Sequence, residues 1–288
     1  MTCLPPARRF DWSNLGVRVV SALVLVPAVL WAVGAEQDRW FLLLVSIGVA
    51  LLAIEWGGMS APRAPVRVSA AVTVAVLASV FLTYQDHTPL AWIAMIIGSA
   101  AAALIARGVA ERPADAAFGV VYIAIPCLCL VWLRSKGENG PLWTYLLFAV
   151  TWAADIFAFV VGSALKGPKL WPRFSPNKTW SGFVGGLLGA MLVGAGFVQL
   201  ATMGQDSLFA RFPPLGLPLA AAALVGLLGG AATMAGDLWE SMLKRRFGVK
   251  DSGDLIPGHG GLLDRVDGLM FAAVVMAAAR LVDFGWAH

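Results

Sequence analysis

Apolar residues come in long blocks along this chain, separated by short polar stretches. The blocks cover residues 15–35, 40–57, 68–84, 89–106, 116–133, 141–162, 182–201, 217–236 and 268–284. Each is close to the length of about 20 residues that carries a helix across roughly 30 Å of hydrocarbon. The pattern predicts an all-α polytopic membrane protein of about nine transmembrane helices. Residues 1–14 read as a short cytoplasmic lead and 15–135 as five N-terminal spans. Residues 136–288 read as a region carrying the chemistry, with polar loops at 163–181 and 237–267. Val33-Gly34-Ala35 offers small residues for a leader cleavage site, but a run of this length is expected to stay as a span.

Composition agrees with that pattern. Of 288 residues 59% are hydrophobic and 13% charged, with 12 tryptophans, and the mean hydropathy is +0.78. Such a balance lies far from that of a soluble domain. Gly- and Ala-rich spans, notably 182–196 and 220–235, allow close helix packing and make a homodimer plausible. If nine spans alternate, 16 of the 21 Lys and Arg fall on the side of the amino terminus, which is then cytoplasmic. Both polar loops share that side. The formal charge of +4 follows from this asymmetry, and no basic patch interleaved with aromatics suggests nucleic acid. Cys3, Cys127 and Cys129 form neither a disulfide framework nor a C-x-x-C motif.

Charge density singles out residues 236–268. This run holds Asp237, Glu240, Lys244, Arg245, Arg246, Lys250, Asp251, Asp254, His259, Asp264, Arg265 and Asp267. A charge at membrane-centre depth costs about 2.5–3.5 kcal/mol, so the cluster belongs at the interface or in a polar cavity. Asp264 and Asp267, three apart, share a helical face. Paired carboxylates suit a Mg²⁺ ion that carries a phosphate substrate. Pro257-Gly258-His259-Gly260-Gly261 has little side-chain bulk, so its backbone N–H groups could approach phosphate oxygens. Asp237, Glu240, Ser241 and Lys244 form a second polar helical face. Asp155 interrupts the sixth block, and an ionisable residue inside a span is a functional candidate. Lys166, Lys169, Arg173 and Lys178 follow it with no acidic residue among them. Elsewhere, Glu55 reads as an interface cap or a structural contact, Asp86 and His87 as a solvated loop pair, and Arg280 with Asp283 as a salt bridge.

Two blocks carry a resemblance. The first is Ser241-x2-Lys244-Arg245-x4-Lys250-Asp251-x-Gly253-x2-Leu-Ile-Pro257-Gly-His259-Gly260-Gly261-Leu-Leu-Asp264-Arg265-Val-Asp267. The second is Asp155-x2-Ala158-Phe159-x2-Gly162 with Ser175-Pro176-Asn177-Lys178-Thr179-Trp180-Ser181-Gly182. Together they resemble the signature elements of phosphatidate cytidylyltransferases, with Ser181 standing where many members carry Glu. The resemblance implies transfer of CMP from CTP to phosphatidate, with Mg²⁺ as cofactor, at the cytoplasmic face of a bacterial inner membrane. It implies Asp237, Asp264, Lys178, Lys244 and His259 as catalytic residues and Asp237, Asp264 and Asp267 as metal ligands. Substrate contacts are implied for Asp155, Ser175, Asn177, Lys178, Thr179, Arg245, Lys250, Gly260, Gly261 and Arg265. A CTP-dependent lipid kinase and an ion-coupled transporter remain alternatives at the level of sequence.

Overall fold

The structure is a computed structural model that describes residues 12–108, 112–202, 211–256 and 260–286. Within them the chain forms α1 (Trp12–Gly34), α2 (Asp38–Ser60), α3 (Pro65–Tyr84), α4 (Thr88–Ala106), α5 (Pro113–Ser135) and α6 (Gly140–Leu165). A short hairpin follows, β1 (Lys169–Trp171) and β2 (Ser175–Thr179), then α7 (Trp180–Thr202), α8 (Leu219–Arg246) and α9 (Leu263–Trp286). Every apolar block in the sequence coincides with one of these helices. Among the described residues, α2 to α8 are long and apolar enough to cross a membrane. α9 carries charge at both ends, Asp264, Arg265 and Asp267 at the start and Arg280 and Asp283 near the close.

Side-chain contacts sort the helix termini into two groups. At one end Arg134, near the close of α5, donates to the carbonyls of Val33 and Ala35 at 2.6 Å each and pairs with Asp38 at 2.7 Å. Lys136 pairs with Asp86 there. Arg280, fully buried, donates to the carbonyls of Leu133 and Lys136 and to Asn139 Oδ1. Its guanidinium therefore caps the α5–α6 turn, beyond the expected electrostatic partner Asp283. The opposite end gathers Glu55, Asp115, Lys178, Arg246 and the starts of α7 and α9.

Two expectations about the polar segments change. The stretch 163–181 is no plain loop, because residues 169–179 form an antiparallel hairpin with Lys169 opposite Thr179 and Trp171 opposite Ser175. Thr179 caps α7, its hydroxyl accepting from Gly182 N at 3.1 Å, and Ser181 Oγ accepts from Gly167 N at 3.2 Å. Nor is 237–267 one loop. α8 continues to Arg246 and α9 begins at Leu263, which puts Asp237, Glu240 and Lys244 on helix, as their spacing predicts, and leaves 247–262 as the connection.

Close backbone approach holds the site-bearing helices together. A Cβ on Gly182 would meet the carbonyl of Ala158 at 2.8 Å, so α7 packs directly on α6. A Cβ on Gly236 would collide with the carbonyl of Asp267, which seats α8 against α9 one residue from Asp237.

Candidate active site

Lys178, from the hairpin, forms an ion pair with Asp237 of α8. Asp155 of α6 and Asp267 of α9 both feel the charges of Asp237 and Lys178. Four segments distant in sequence thus bring three carboxylates and one ammonium within electrostatic range of one another, with Lys178 and Asp237 in direct contact. Asp155 is exposed although it lies within an apolar helix. At 1.5 Å per residue it sits roughly 15 Å below the end of α6, and Asp237 roughly 13 Å below the end of α8. Both lie along their helices rather than at the tips, and a charged group at such a position within a span needs a polar or water-filled surrounding. Asp267 also accepts from its neighbour Gly268 N at 2.7 Å.

One turn away lies a second network with a different character. Lys244 Nζ contacts Glu240 at 2.7 Å and Asp264 at 2.5 Å. The other oxygen of Asp264 accepts from Ser252 N at 3.0 Å and Ser252 Oγ at 2.8 Å. Asp264, expected beside Asp237 as a metal ligand, therefore has both oxygens engaged by protein donors. Glu240 is only 1% exposed, and its Oε1 has no hydrogen-bond partner among the described residues. Neighbouring Tyr122, which feels the charges of Asp267 and Glu240, likewise buries an unpartnered hydroxyl.

The remaining expected residues fall around these networks. Arg245, Lys250 and Arg265 are exposed cations near the α8–α9 connection, and Asn177 is exposed on the hairpin beside half-buried Ser175. Thr179 is buried and acts as a helix cap. His259, with Pro257 and Gly258, lies outside the described residues. Gly260 adopts a φ of 81°, in the left-handed region open to glycine. Gly261 leaves no room for a Cβ against Ser252 Oγ and Asp264, so here glycine admits the protein's own side chains.

Among the described residues no three His, Cys, Asp or Glu side chains form a ready metal cage. Mg²⁺ needs only one or two carboxylates when substrate phosphates complete its shell. Asp155, Asp237 and Asp267 supply hard oxygen donors and more negative charge than Lys178 alone offsets, which fits an ion arriving with a nucleotide. Below them a cavity of about 320 Å³ between α5, α8 and α9 is lined by apolar and aromatic side chains, among them Tyr122, Pro126, Trp239, Met270 and Phe271.

Helices long and apolar enough to span a bilayer, with three acids and a lysine gathered near an apolar cavity, define an integral membrane protein. Residues 16–282 match the cytidylyltransferase family. The chain is 39% identical over 264 residues to the phosphatidate cytidylyltransferase of Brucella abortus biovar 1 (strain 9-941), covering 92% of each chain. It is 29% identical over 266 residues to that of Rickettsia bellii (strain RML369-C), covering 92% of this chain and 90% of the relative. The one from Staphylococcus saprophyticus is 42% identical over 163 residues, covering 54% of this chain and 56% of the relative. This chain belongs to the cytidylyltransferase family.

Proposed function

We propose that this protein transfers CMP from CTP to phosphatidate, giving CDP-diacylglycerol and pyrophosphate. The observation that carries the proposal is the meeting of Asp155, Lys178, Asp237 and Asp267 from four separate elements in a chain of this family. A phosphate oxygen of the lipid attacks the α-phosphorus of CTP. The bond from that phosphorus to the oxygen bridging the α- and β-phosphates breaks, and pyrophosphate leaves with the electron pair. A phosphomonoester has its second pKa near ~6, so the attacking group is already largely dianionic and requires no general base. The protein's task is to bring two anions together and hold them in line.

Asp237 and Asp267, with Asp155 beside them, are the residues that would hold Mg²⁺. Bound there, the ion supplies neutralisation of phosphate charge. Lys178 adds a fixed positive charge on the hairpin, and Arg245, Lys250 and Arg265 present cations to the triphosphate. Lys244 keeps Glu240 and Asp264 in place. The cavity lined by Tyr122 and Trp239 accepts an acyl chain, so the lipid approaches from the bilayer while the nucleotide comes from the aqueous side. In this reading all nine helices span the membrane and the site faces the cytoplasm.

The purified protein, given α-labelled CTP, phosphatidate and Mg²⁺, is expected to place the label in a lipid and release pyrophosphate at equal rates. Label retained in CDP with a newly phosphorylated lipid would instead identify a kinase.

A further inference from the structure

Glu55 and Trp56 of α2 lie far from the signature residues in sequence, yet both are buried and both reach the α8–α9 connection. Glu55, 3% exposed, accepts from Leu262 N at 2.6 Å and Leu263 N at 2.7 Å. The first N–H groups of a helix have no partner inside it. Gly260, Gly261 and Leu262, which precede α9, have no side-chain acceptor to offer, so a carboxylate from 207 residues earlier fills the role. It also adds negative charge at the positive end of the helix.

The same carboxylate is linked to Asp264 through one hydroxyl. Ser252 Oγ lies 3.2 Å from Glu55 Oε2 and 2.8 Å from Asp264 Oδ2. A Cβ on Gly253 would press on Glu55 Cγ at 3.0 Å, so a larger residue there would crowd the Glu55 carboxylate.

Trp56 secures the other end of the connection. Its Nε1 donates to the Asp115 carbonyl at 3.0 Å, and the Asp115 carboxylate pairs with Arg246, where α8 ends. The Trp56 ring meets Phe247 edge-on, with centroids 5.5 Å apart. No Cβ fits on Gly119 against the indole. Two consecutive residues of α2 thus grip both ends of residues 247–262.

We infer that Glu55 is a positioning residue for CMP transfer: it caps α9 from α2 and, through Ser252, fixes Asp264 and the turn that carries Asp267. This rests on the reaction proposed above. Glu55→Gln retains one carbonyl oxygen but sets an amide N–H₂ against a backbone N–H. In the full-length protein it is expected to lower kcat on the order of 10–100-fold, the scale of small displacements at a reacting centre, with KM for CTP and phosphatidate within about twofold. Amide exchange at Leu262 and Leu263 is expected to rise. Ser252→Ala acts in the same direction, and the double variant is expected to be no slower than the slower single, because the two side chains form one link.

An unchanged kcat per folded molecule in Glu55→Gln would overturn the inference. So would losses that multiply in the double variant. Should Glu55→Gln not fold, the kcat and KM of Ser252→Ala decide by the same criteria. Absence of CDP-lipid from the wild-type protein would count against the reaction alone, and amide exchange at 262–263 would still decide the contact.

Discussion

Lys178 and Lys244 are both paired with carboxylates, but their surroundings differ enough to separate the effects of removing each. Lys178 is 27% exposed and faces Asp237 in the open part of the site. Lys178→Met is expected to leave the protein folded while lowering kcat/KM about 100-fold or more, the scale seen when one preorganised charge is lost from a transition-state site. Lys244 lies between Glu240 at 1% exposure and Asp264 at 12%. Lys244→Met strands buried carboxylates, a defect of about 3–5 kcal/mol. Its primary readout is therefore loss of folded protein on detergent extraction, with thermal unfolding of the remainder displaced downward. The sequence revealed that these residues belong together but not how they divide. Spacing put Asp264 and Asp267 on one helical face, and both do lie at the start of α9. Which of them faces Lys178 depends on Ser252 and Lys244, whose contacts arise only after the chain folds back. Glu55 reads as a structural contact already in the sequence, but its partner was hidden for the same reason, since one acid at the end of an apolar run looks alike whichever segment it caps 207 residues away.

At the scale of elements, chemistry is placed by packing small residues. Gly236 lets α8 lie against α9 beside Asp237 and Asp267. Gly236→Ala forces a methyl group into the Asp267 carbonyl. The expected result is a loss of about 1–3 kcal/mol, as for other overpacked contacts, together with activity that falls further than the folded fraction does. Measuring both on one preparation separates a shifted site from a lost one. The helices themselves were legible because a 20-residue apolar block admits few alternatives. The hairpin was not. Residues 169–179 contain Pro172 and Pro176, show no clean alternation, and are held by Trp180 N donating to the Pro168 carbonyl at 2.9 Å and by pairing with one another. For α8 the helical spacing of Asp237, Glu240, Ser241 and Lys244 was legible, but not that it continues the apolar span without a break, because hydropathy stops at Gly236 while hydrogen bonding runs on to Arg246.

For the whole molecule, the two sets of terminal contacts put the hairpin and the α5–α6 turn at opposite ends of the helices, which the proposed topology places on opposite faces of the bilayer. Cysteines introduced at exposed Asn177 and Glu138 test this in sealed vesicles. With the native cysteines replaced, a membrane-impermeant thiol reagent is expected to reach position 177 only from the cytoplasmic side and position 138 only from the other. Labelling of both from one side would contradict the arrangement.

The grip of α2 on the start of α9 also bears on biogenesis. At about 5–20 residues per second, the ribosome makes Glu55 roughly 10–40 s before its partners at 262 and 263 emerge. Throughout that interval the nascent chain carries a carboxylate destined for burial, with only water or lipid headgroups to satisfy it. Catalytic competence therefore arrives in a single late event, when the last hydrophobic segment docks, and a chain stalled before that point is inert toward its substrates.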